Sequence, residues 1–287
     1  MRILILGVNG MIGHVLFNYL TSNSNYKVYG TFRLNNESEN LFKNNKNVFT
    51  ISMKKDTEFI RLIDKISPNL IINCLGLVKQ NLSGHNYLTT IYINSLFPHR
   101  IAKICSKFSI RLINFSTDCV FSGIKGGYTE DDIPDPIDFY GRTKLVGEVN
   151  YGNVLTIRTS FIGHQINSKY GLLEWFLTQK DNCKGFVNAI YSGLPTIEIA
   201  KILKDHVILN KKLIGLYQIS GNEINKYELL SLINKIYGLK LNIEKEHKFK
   251  IDRTLNSKKF RDATGYKPPN WESLIKKMYK YRGFSNV

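Results

Sequence analysis

The chain has 287 residues, of which 43% are hydrophobic and 12% aromatic, so it has the composition of a folded protein and not of a disordered one. This length suits one large domain or two coupled ones. The formal net charge is +17, but the lysines are scattered, and no zinc-finger spacing, arginine-rich arm or RNA-recognition signature accompanies them, so we expect no nucleic-acid partner.

Short apolar runs alternate with amphipathic segments through the first half of the chain. The runs are apolar on both faces and rich in β-branched residues, as strands of a parallel sheet covered on both sides must be. Alternation of strand and helix predicts an α/β protein with a Rossmann-type doubly wound parallel sheet. Strands are predicted at 2–7, 27–32, 47–52, 69–76, 111–117 and 154–160, helices at 11–22, 56–66, 86–107 and 140–150, and a loop at 34–46.

The pattern changes after Ser160, because residues 163–196 show no clean alternation. Further on, the sequence predicts a helix at 196–208, a strand at 215–220, a helix at 226–238 that ends at Gly238, and a final helix at 272–281. We therefore expect a core of residues 1–160, a separate segment 161–196, a return to the core at 197–220, and a smaller C-terminal region at 221–287.

The first predicted strand runs directly into a glycine-rich turn, GVNGMIG, with glycines at positions 7, 10 and 13. A strand followed by such a turn and a helix presents backbone N–H groups to a pyrophosphate, and glycine allows the close approach. This position in the chain favours a dinucleotide-binding site. Its candidate binding residues are Gly7, Asn9, Gly10, Met11 and Ile12.

The end of the second predicted strand, YGTFR, indicates which dinucleotide binds. Enzymes that use NAD often have an acidic residue there for the ribose 2′-hydroxyl, whereas an arginine suits a 2′-phosphate. Arg33 occupies this region, and no acidic residue lies between Lys27 and Leu34. The alternative is an arginine that is simply exposed at the surface. We predict NADPH as the cofactor in preference to NADH.

Thr117, Tyr140 and Lys144 are the candidate catalytic residues. Thr117 ends the fifth predicted strand, and ligands of open α/β sheets bind beyond the carboxyl ends of strands. Tyr140 and Lys144 are four residues apart and share one face of the predicted helix. A lysine ammonium favours a phenolate, so we expect Lys144 to lower the pKa of Tyr140 from its ordinary value near ~10 and suit it to acid–base catalysis.

The cysteines, Cys74, Cys105, Cys119 and Cys183, are far apart and contain no C-x-x-C pair. This spacing favours a reducing compartment and predicts neither a disulfide framework nor a structural zinc. No apolar run approaches the roughly 18–20 residues of a membrane helix. We expect a cytoplasmic protein with no membrane partner and no metal.

These motifs occur together in an order that resembles a known group. GVNGMIG, NCLG, Asn94, STDCVF, YGRTKLVGE, IRTS, SGLPT and GLYQISG are similar to elements of the extended short-chain dehydrogenase/reductases and, within them, the dTDP-4-dehydrorhamnose reductase family. The resemblance implies reduction of the 4-keto group of a nucleotide-diphosphate 6-deoxysugar in surface polysaccharide biosynthesis, with Thr117, Tyr140 and Lys144 as the catalytic trio. It leaves a homodimer open.

The resemblance also implies binding roles for residues that the spacing alone does not single out. Residues expected to contact the cofactor, besides the glycine turn, Arg33, Tyr140 and Lys144, are Cys74, Leu75, Gly76, Asn94 and Ser116. Residues expected to contact the substrate are Thr117, Asp118, Cys119, Val120, Phe121 and Phe161, together with Ser192, Pro195, Thr196 and Arg253 at places where relatives contact the nucleotide diphosphate.

Two departures from the family pattern leave the sugar open. Cys119 stands where the family often has Tyr, and Phe161 where it often has Trp, so a UDP-linked 2-acetamido-2,6-dideoxy-4-hexulose is an alternative substrate. An epimerase or dehydratase of the same superfamily is a second reading, disfavoured by Arg33 and by the lack of an acidic pair beside Thr117. A non-catalytic NADP-binding regulatory subunit is a third, disfavoured by the intact trio.

Overall fold

The structure is a computed structural model, and it describes residues 1–32, 42, 45–52, 55–77, 87–166 and 171–281. Its strands are β1 (Arg2–Leu6), β2 (Lys27–Phe32), β3 (Val48–Thr50), β4 (Leu70–Asn73), β5 (Arg111–Phe115), β6 (Val154–Arg158), β7 (Phe161–Ile162), β8 (Asn182–Tyr191), β9 (Leu194–Pro195), β10 (Gly215–Gln218), β11 (Ile224–Asn225) and β12 (Asn242–Asp252).

The main sheet contains seven parallel strands in the order β10-β6-β5-β4-β1-β2-β3. Along β1, Ile3 and Ile5 pack into one hydrophobic cluster and Leu4 and Leu6 into another. The sheet therefore has a core on each face, which is why its strands are continuous apolar runs. The predicted doubly wound α/β fold is confirmed.

The helices confirm most of the predicted positions. They are α1 (Met11–Asn23), α2 (Asp56–Ile66), α3 (Tyr87–Ile91), α4 (Phe97–Lys107), α5 (Phe139–Val146), α6 (Leu172–Leu177), α7 (Thr196–Ile202), α8 (Lys226–Tyr237), α9 (Lys258–Thr264) and α10 (Trp271–Lys280), with π-helical turns at Tyr92–Leu96 and Leu203–Val207. Gly238 ends α8 in the left-handed conformation, with φ of 69°, as its position predicted. No helix among the described residues is long and apolar enough to cross a membrane.

Several predicted elements are longer than the helices and strands that the structure contains. The strand predicted at 154–160 ends at Arg158, and the helix predicted at 140–150 spans Phe139–Val146. The helix ends there where Gly147 passes so close to the backbone of Asn94 that an added Cβ would lie 1.8 Å from its carbonyl oxygen. Most of the predicted loop 34–46 lies outside the described residues.

A second sheet, in the order β11-β8-β12, is the main element that the sequence patterns did not predict. Its long strands β8 and β12 pair in parallel, with an irregularity between Glu246 and Lys250. Strand β12 is an edge strand with mostly exposed side chains, so its sequence, NIEKEHKFKID, lacks the apolar alternation of a half-buried strand. The central strand β8 packs against α8. Its carboxyl end and that of β12 both reach the candidate site described below.

Candidate active site

A cavity of about 510 Å³ lies beyond the carboxyl ends of β1, β4, β5 and β6. Ligands of open α/β sheets bind at this edge. The cavity brings together a large part of the predicted site from distant parts of the chain. The predicted residues that line it are Asn9, Gly10, Met11, Ile12, Cys74, Leu75, Gly76, Ser116, Thr117, Asp118, Cys119, Tyr140, Lys144, Phe161 and Arg253.

A second cavity, of about 860 Å³, continues the first along the edge of the sheet. The two share Asn9, Gly10 and the segment 74–76, and the second also contains Gly7. It extends over β2 and β3 to Glu58, whose carboxylate accepts the N–H of Ser52 at 3.0 Å. Together the cavities form an elongated groove across the glycine turn.

The glycine turn fits the pyrophosphate of a dinucleotide. Gly7 adopts φ of 85°, and a Cβ at Gly13 would lie 2.0 Å from the Gly7 carbonyl oxygen, so this tight turn requires both glycines. Gly10 is the N-cap of helix α1 and provides no side-chain cap, and no acidic residue lies in the first turn of the helix. Its positive N-terminal end is thus open to an anion.

Thr117 and Tyr140 meet at the wall of the first cavity. Thr117 is the N-cap of a short turn, where its hydroxyl accepts the N–H of Cys119 at 3.2 Å and donates to the Asp118 carboxylate at 3.1 Å. The Thr117 hydroxyl acts on the Tyr140 phenol and favours a lower pKa for it. Tyr140 is held there because Asp138 caps α5, accepting the N–H of Gly141 at 2.8 Å.

Lys144 reaches the same cavity from the next turn of α5. Its ammonium donates to the Phe115 carbonyl oxygen at 2.6 Å. Burial lowers the pKa of Lys144 to about 8, and the Glu148 carboxylate opposes this shift. Glu148 is itself held by Arg158, through two bonds of 2.8 Å, and by the Ser116 hydroxyl, which donates at 2.6 Å. The hydroxyl of Ser116, a predicted cofactor contact, is thus used within the protein.

The predicted effect of Lys144 on Tyr140 is wrong. Burial raises the pKa of Tyr140 above its ordinary value, the nearby Cys119 and Asp118 side chains add to this shift, and the Thr117 hydroxyl only partly opposes it. The ammonium of Lys144 is engaged by the Phe115 carbonyl oxygen and does not reverse it. Removal from water disfavours a phenolate more than a neighbouring cation favours it.

Six of the predicted residues lie away from the cavity wall. Asn94 is fully buried and bonds both the N–H and the carbonyl oxygen of Leu77 at 2.9 Å, so it joins the segment after β4 to the helix. Val120 and Phe121 belong to a small hydrophobic cluster with Tyr128. The other three are buried in or beside the short strand β9 and are Ser192, Pro195 and Thr196.

Ser192, Pro195 and Thr196 are all engaged in contacts within the protein. The Ser192 hydroxyl accepts the N–H of Leu255 at 3.0 Å, Pro195 pairs with Ile162, and Thr196 packs against Gly163. These residues attach the second part of the chain to the core, and their contact with the substrate stays a prediction from sequence. Arg33 lies outside the described residues, so its proposed role stays a prediction from sequence.

Sequence reasoning missed several residues that the fold brings to the cavity. Only Asp138 carried a signal, since an aspartate directly before a helix is a typical N-cap. The others come from segments whose structure was not predicted or not assigned to the site, and they include Thr159, Ser160, Gln165, Tyr191 and Lys226.

The cysteines of the site are not suited to nucleophilic chemistry. Burial raises the pKa of the Cys119 thiol to about 12 and also raises that of Cys74. A neutral thiol is a poor nucleophile. Among the described residues, no group of three or more His, Cys, Asp or Glu side chains is placed to hold a metal ion.

Comparison with known proteins identifies a family and several relatives that this chain resembles. The profile of the RmlD substrate binding domain matches residues 1–282. The probable low-salt glycan biosynthesis reductase Agl14 of Haloferax volcanii is 32% identical over 164 residues, which cover 55% of this chain and about half, 52%, of that protein. Methionine adenosyltransferase 2 subunit beta of Xenopus laevis is 25% identical over 83% of this chain and 72% of that protein.

Among solved structures, dTDP-4-dehydrorhamnose reductase from Bacillus anthracis, in complex with NADP, has a TM-score of 0.81. The match covers 97% of this chain and 98% of that one at 19% sequence identity. At this identity the likeness concerns the fold.

Proposed function

The chain belongs to the RmlD substrate binding domain family, and from this we propose that it catalyses NADPH-dependent reduction of the 4-keto group of a nucleotide-activated 6-deoxysugar, as a step in surface polysaccharide biosynthesis. The observation that carries the proposal is the meeting of Thr117, Tyr140 and Lys144 at one end of a groove that crosses the glycine turn. The resemblance to a glycan biosynthesis reductase over half the chain agrees with it.

The groove suits an extended dinucleotide. The N-terminus of α1 would hold the pyrophosphate, the second cavity the adenosine end, and Lys144 the ribose hydroxyls at the reacting end. When bound, NADPH supplies the hydride that reduces the ketone. We propose Arg33 as the residue that binds the 2′-phosphate and so selects NADPH over NADH.

The raised pKa of Tyr140 changes how its catalytic role is understood. Ketone reduction needs a proton at the oxygen as hydride reaches the carbon, and a tyrosine with a raised pKa holds that proton at neutral pH. The phenol hydroxyl donates this proton to O4 of the sugar, and the Thr117 hydroxyl turns from the Asp118 carboxylate to donate a hydrogen bond to the same oxygen. An alkoxide is a far stronger base than a phenolate, so transfer is favourable even from a weakly acidic tyrosine.

The substrate side of the cavity combines residues of both parts of the chain. Asp118, Cys119 and Phe161 would contact the sugar, and Arg253 the diphosphate. The proposed contacts of Phe161 and Arg253 support segments 161–196 and 221–287 as the substrate-binding part. Residues 1–160 and 197–220 then form the NADP-binding core. The small Cys119 leaves both a dTDP-linked 6-deoxyhexulose and a UDP-linked 2-acetamido-2,6-dideoxy-4-hexulose as candidate substrates.

A non-catalytic subunit that binds NADP is the second candidate function. It is favoured by the similarity to methionine adenosyltransferase 2 subunit beta over 83% of the chain. The convergence of Thr117, Tyr140 and Lys144 on one cavity argues for catalysis instead, since a subunit that only binds NADP has no need of a proton donor.

The experiment that decides between them is a screen of purified protein with NADPH and a panel of dTDP- and UDP-linked 4-keto sugars, followed by the loss of NADPH absorbance. The matched control is Tyr140→Phe, which removes one oxygen and should leave folding and NADPH binding unchanged. We expect kcat to fall about 10²–10⁴-fold in this variant. Turnover by Tyr140→Phe at the parental rate would show that Tyr140 is not the proton donor. If the parent reduces none of the ketones, the non-catalytic NADP-binding subunit is favoured.

A further inference from the structure

The cavity-facing end of the second sheet brings two cations to the same cavity. Ile190 of β8 pairs with Asn225 of β11 on one side and with Asp252 of β12 on the other. Lys226 and Arg253 are the residues that follow these two partners. The sheet therefore brings two residues that are distant in sequence to the cavity that contains Tyr140.

Lys226 occupies a position that folding alone does not explain. Its ammonium lies 3.6 Å from the centre of the Tyr191 ring, and within the described part of the chain it has neither a hydrogen bond nor an ion pair. It is also the first residue of α8, where the helix dipole disfavours a cation. Burial lowers its pKa to about 8, although the charge of Asp118 opposes the shift. A partly buried cation that only an aromatic ring contacts is available to an anion.

Arg253 is incompletely paired as well. Its Nη1 donates to the Cys119 sulfur at 3.3 Å, a weak acceptor, and its Nε is buried without a hydrogen-bond partner among the described residues. Asp118 is the anion that faces both cations, but its carboxylate accepts the Thr117 hydroxyl. Neither cation lies within ion-pair distance of an acidic side chain in the described residues.

We propose that Lys226 is a further affinity- and specificity-determining residue, which binds the diphosphate of the nucleotide-activated substrate together with Arg253. The inference rests on the proposed function. A diphosphate carries the two negative charges that two unpaired cations require, with Arg253 offering a planar fork and Lys226 a point charge. The cofactor pyrophosphate is assigned to the glycine turn, which belongs to a different part of the chain, so the two anions have separate sites.

The test measures binding without turnover, so it does not depend on identifying the sugar. UDP, dTDP and inorganic diphosphate are titrated by calorimetry into the parent, Lys226→Met and Lys226→Arg, and NADP⁺ is titrated in parallel. Lys258→Met is the matched control, because Lys258 is also the first residue of a helix but is exposed and paired with Asp262.

We expect Lys226→Met to weaken nucleoside diphosphate binding about ten- to hundredfold. Lys226→Arg should restore most of the affinity, and NADP⁺ binding should be the same in all variants. A parent that binds none of the three anions, or a Lys226→Met variant that binds them as the parent does, overturns the proposal. Loss of UDP or dTDP affinity in a protein that reduces no 4-keto sugar would support the diphosphate site and refute the ketoreductase function.

Discussion

Burial is the strongest influence on the pKa values of Tyr140 and Lys144 in the candidate site. It raises the pKa of Tyr140 and lowers that of Lys144, so both neutral forms are favoured. Sequence spacing predicts that the two side chains share a helix face but says nothing about the water around them. Tyr140 thus keeps its proton over a wide pH range, whereas Lys144 changes its charge close to physiological pH.

The first prediction concerns the pH dependence of NADPH binding. Lys144 is charged below its pKa of about 8 and neutral above it. If its ammonium holds the ribose, NADPH affinity should fall as the pH rises through about 8 and then level off. Lys144→Met should bind NADPH weakly and without this step. Lys226→Met is the control, because burial gives Lys226 a similar pKa of about 8 on the substrate side. If the fall in NADPH affinity near pH 8 persists in Lys144→Met, a titrating group other than Lys144 causes it.

The second prediction concerns Arg33 and rests on sequence alone. Arg33→Asp should weaken NADPH binding about ten- to hundredfold and change NADH binding much less, because only NADPH carries the 2′-phosphate. Dissociation constants for both cofactors, measured by fluorescence titration, give the comparison. Lys27→Asp, at the start of the same strand, makes the same charge change at the end away from the cavity. Equal losses for the two cofactors would make Arg33 a surface residue.

The position of helix α5 depends on close backbone contacts at both of its ends. A Cβ at Gly141 would lie 2.2 Å from the Cys119 carbonyl oxygen, and Gly147 approaches Asn94 in a similar way. The helix can therefore sit close enough to β5 for Tyr140 to meet Thr117. The motif YGRTK contains its glycine for this packing reason.

The third prediction follows from that contact. Gly141→Ala should force α5 away from the backbone of Cys119 and lower the free energy of unfolding by about 1–3 kcal/mol. A displacement of Tyr140 by as little as 1 Å can cost about 10²-fold in kcat. Urea denaturation and steady-state kinetics measure the two effects, with the exposed neighbour Arg142→Ala as control. Unchanged kcat in a folded Gly141→Ala protein would show that the site tolerates the displacement.

The fourth prediction concerns the buried ion pair that links α5 to β6. Glu148→Gln leaves Arg158 as an uncompensated buried charge, because the side chains are only 10% and 3% exposed, so we expect the free energy of unfolding to fall by about 3–5 kcal/mol. Glu148 also raises the pKa of Lys144. The step in NADPH affinity should therefore move to lower pH in the variant.

The double variant Glu148→Gln with Arg158→Met serves as the control for this pair. It removes the stranded charge and should regain part of the lost stability. If the Glu148→Gln protein is as stable as the parent, solvent already stabilises the charge of Arg158.

At the scale of the whole molecule, the stability of the fold depends on pH through its buried lysines. Lys226 has a pKa of about 8 in the folded protein, below the ordinary 10.5. Between these values the unfolded chain binds the proton and the folded one does not, so its contribution to stability rises with pH across this range. Below about pH 8, the folded protein carries a buried charge that costs free energy.

The fifth prediction tests this cost. Lys226→Met removes the buried charge, so its stability advantage over the parent should be largest at neutral pH and shrink as the pH approaches about 10. Urea denaturation of both proteins across this range gives the difference in the free energy of unfolding. A difference that does not change with pH would contradict the burial of this ammonium.

The sequence by itself determined the main sheet and much of the site. Strands buried on both faces are continuous apolar runs wherever they lie, and the glycine turn, the Gly238 helix end and the Tyr140–Lys144 spacing are local patterns with local causes. Such patterns predict elements, and the strand-end rule then places Thr117 and Tyr140 near one another.

Only the tertiary structure decided the second sheet and what it brings to the cavity. Strand β12 is recognisable through its pairing with β8, since its exposed side chains carry no periodic signal. The pairing of β8 with β11 and β12 brings Lys226 and Arg253 to one cavity, while Ser192 and its neighbours are buried in or beside β9. The protonation of Tyr140 was decided at the same level. Burial depends on every element packed around a side chain, and no short stretch of sequence contains that information.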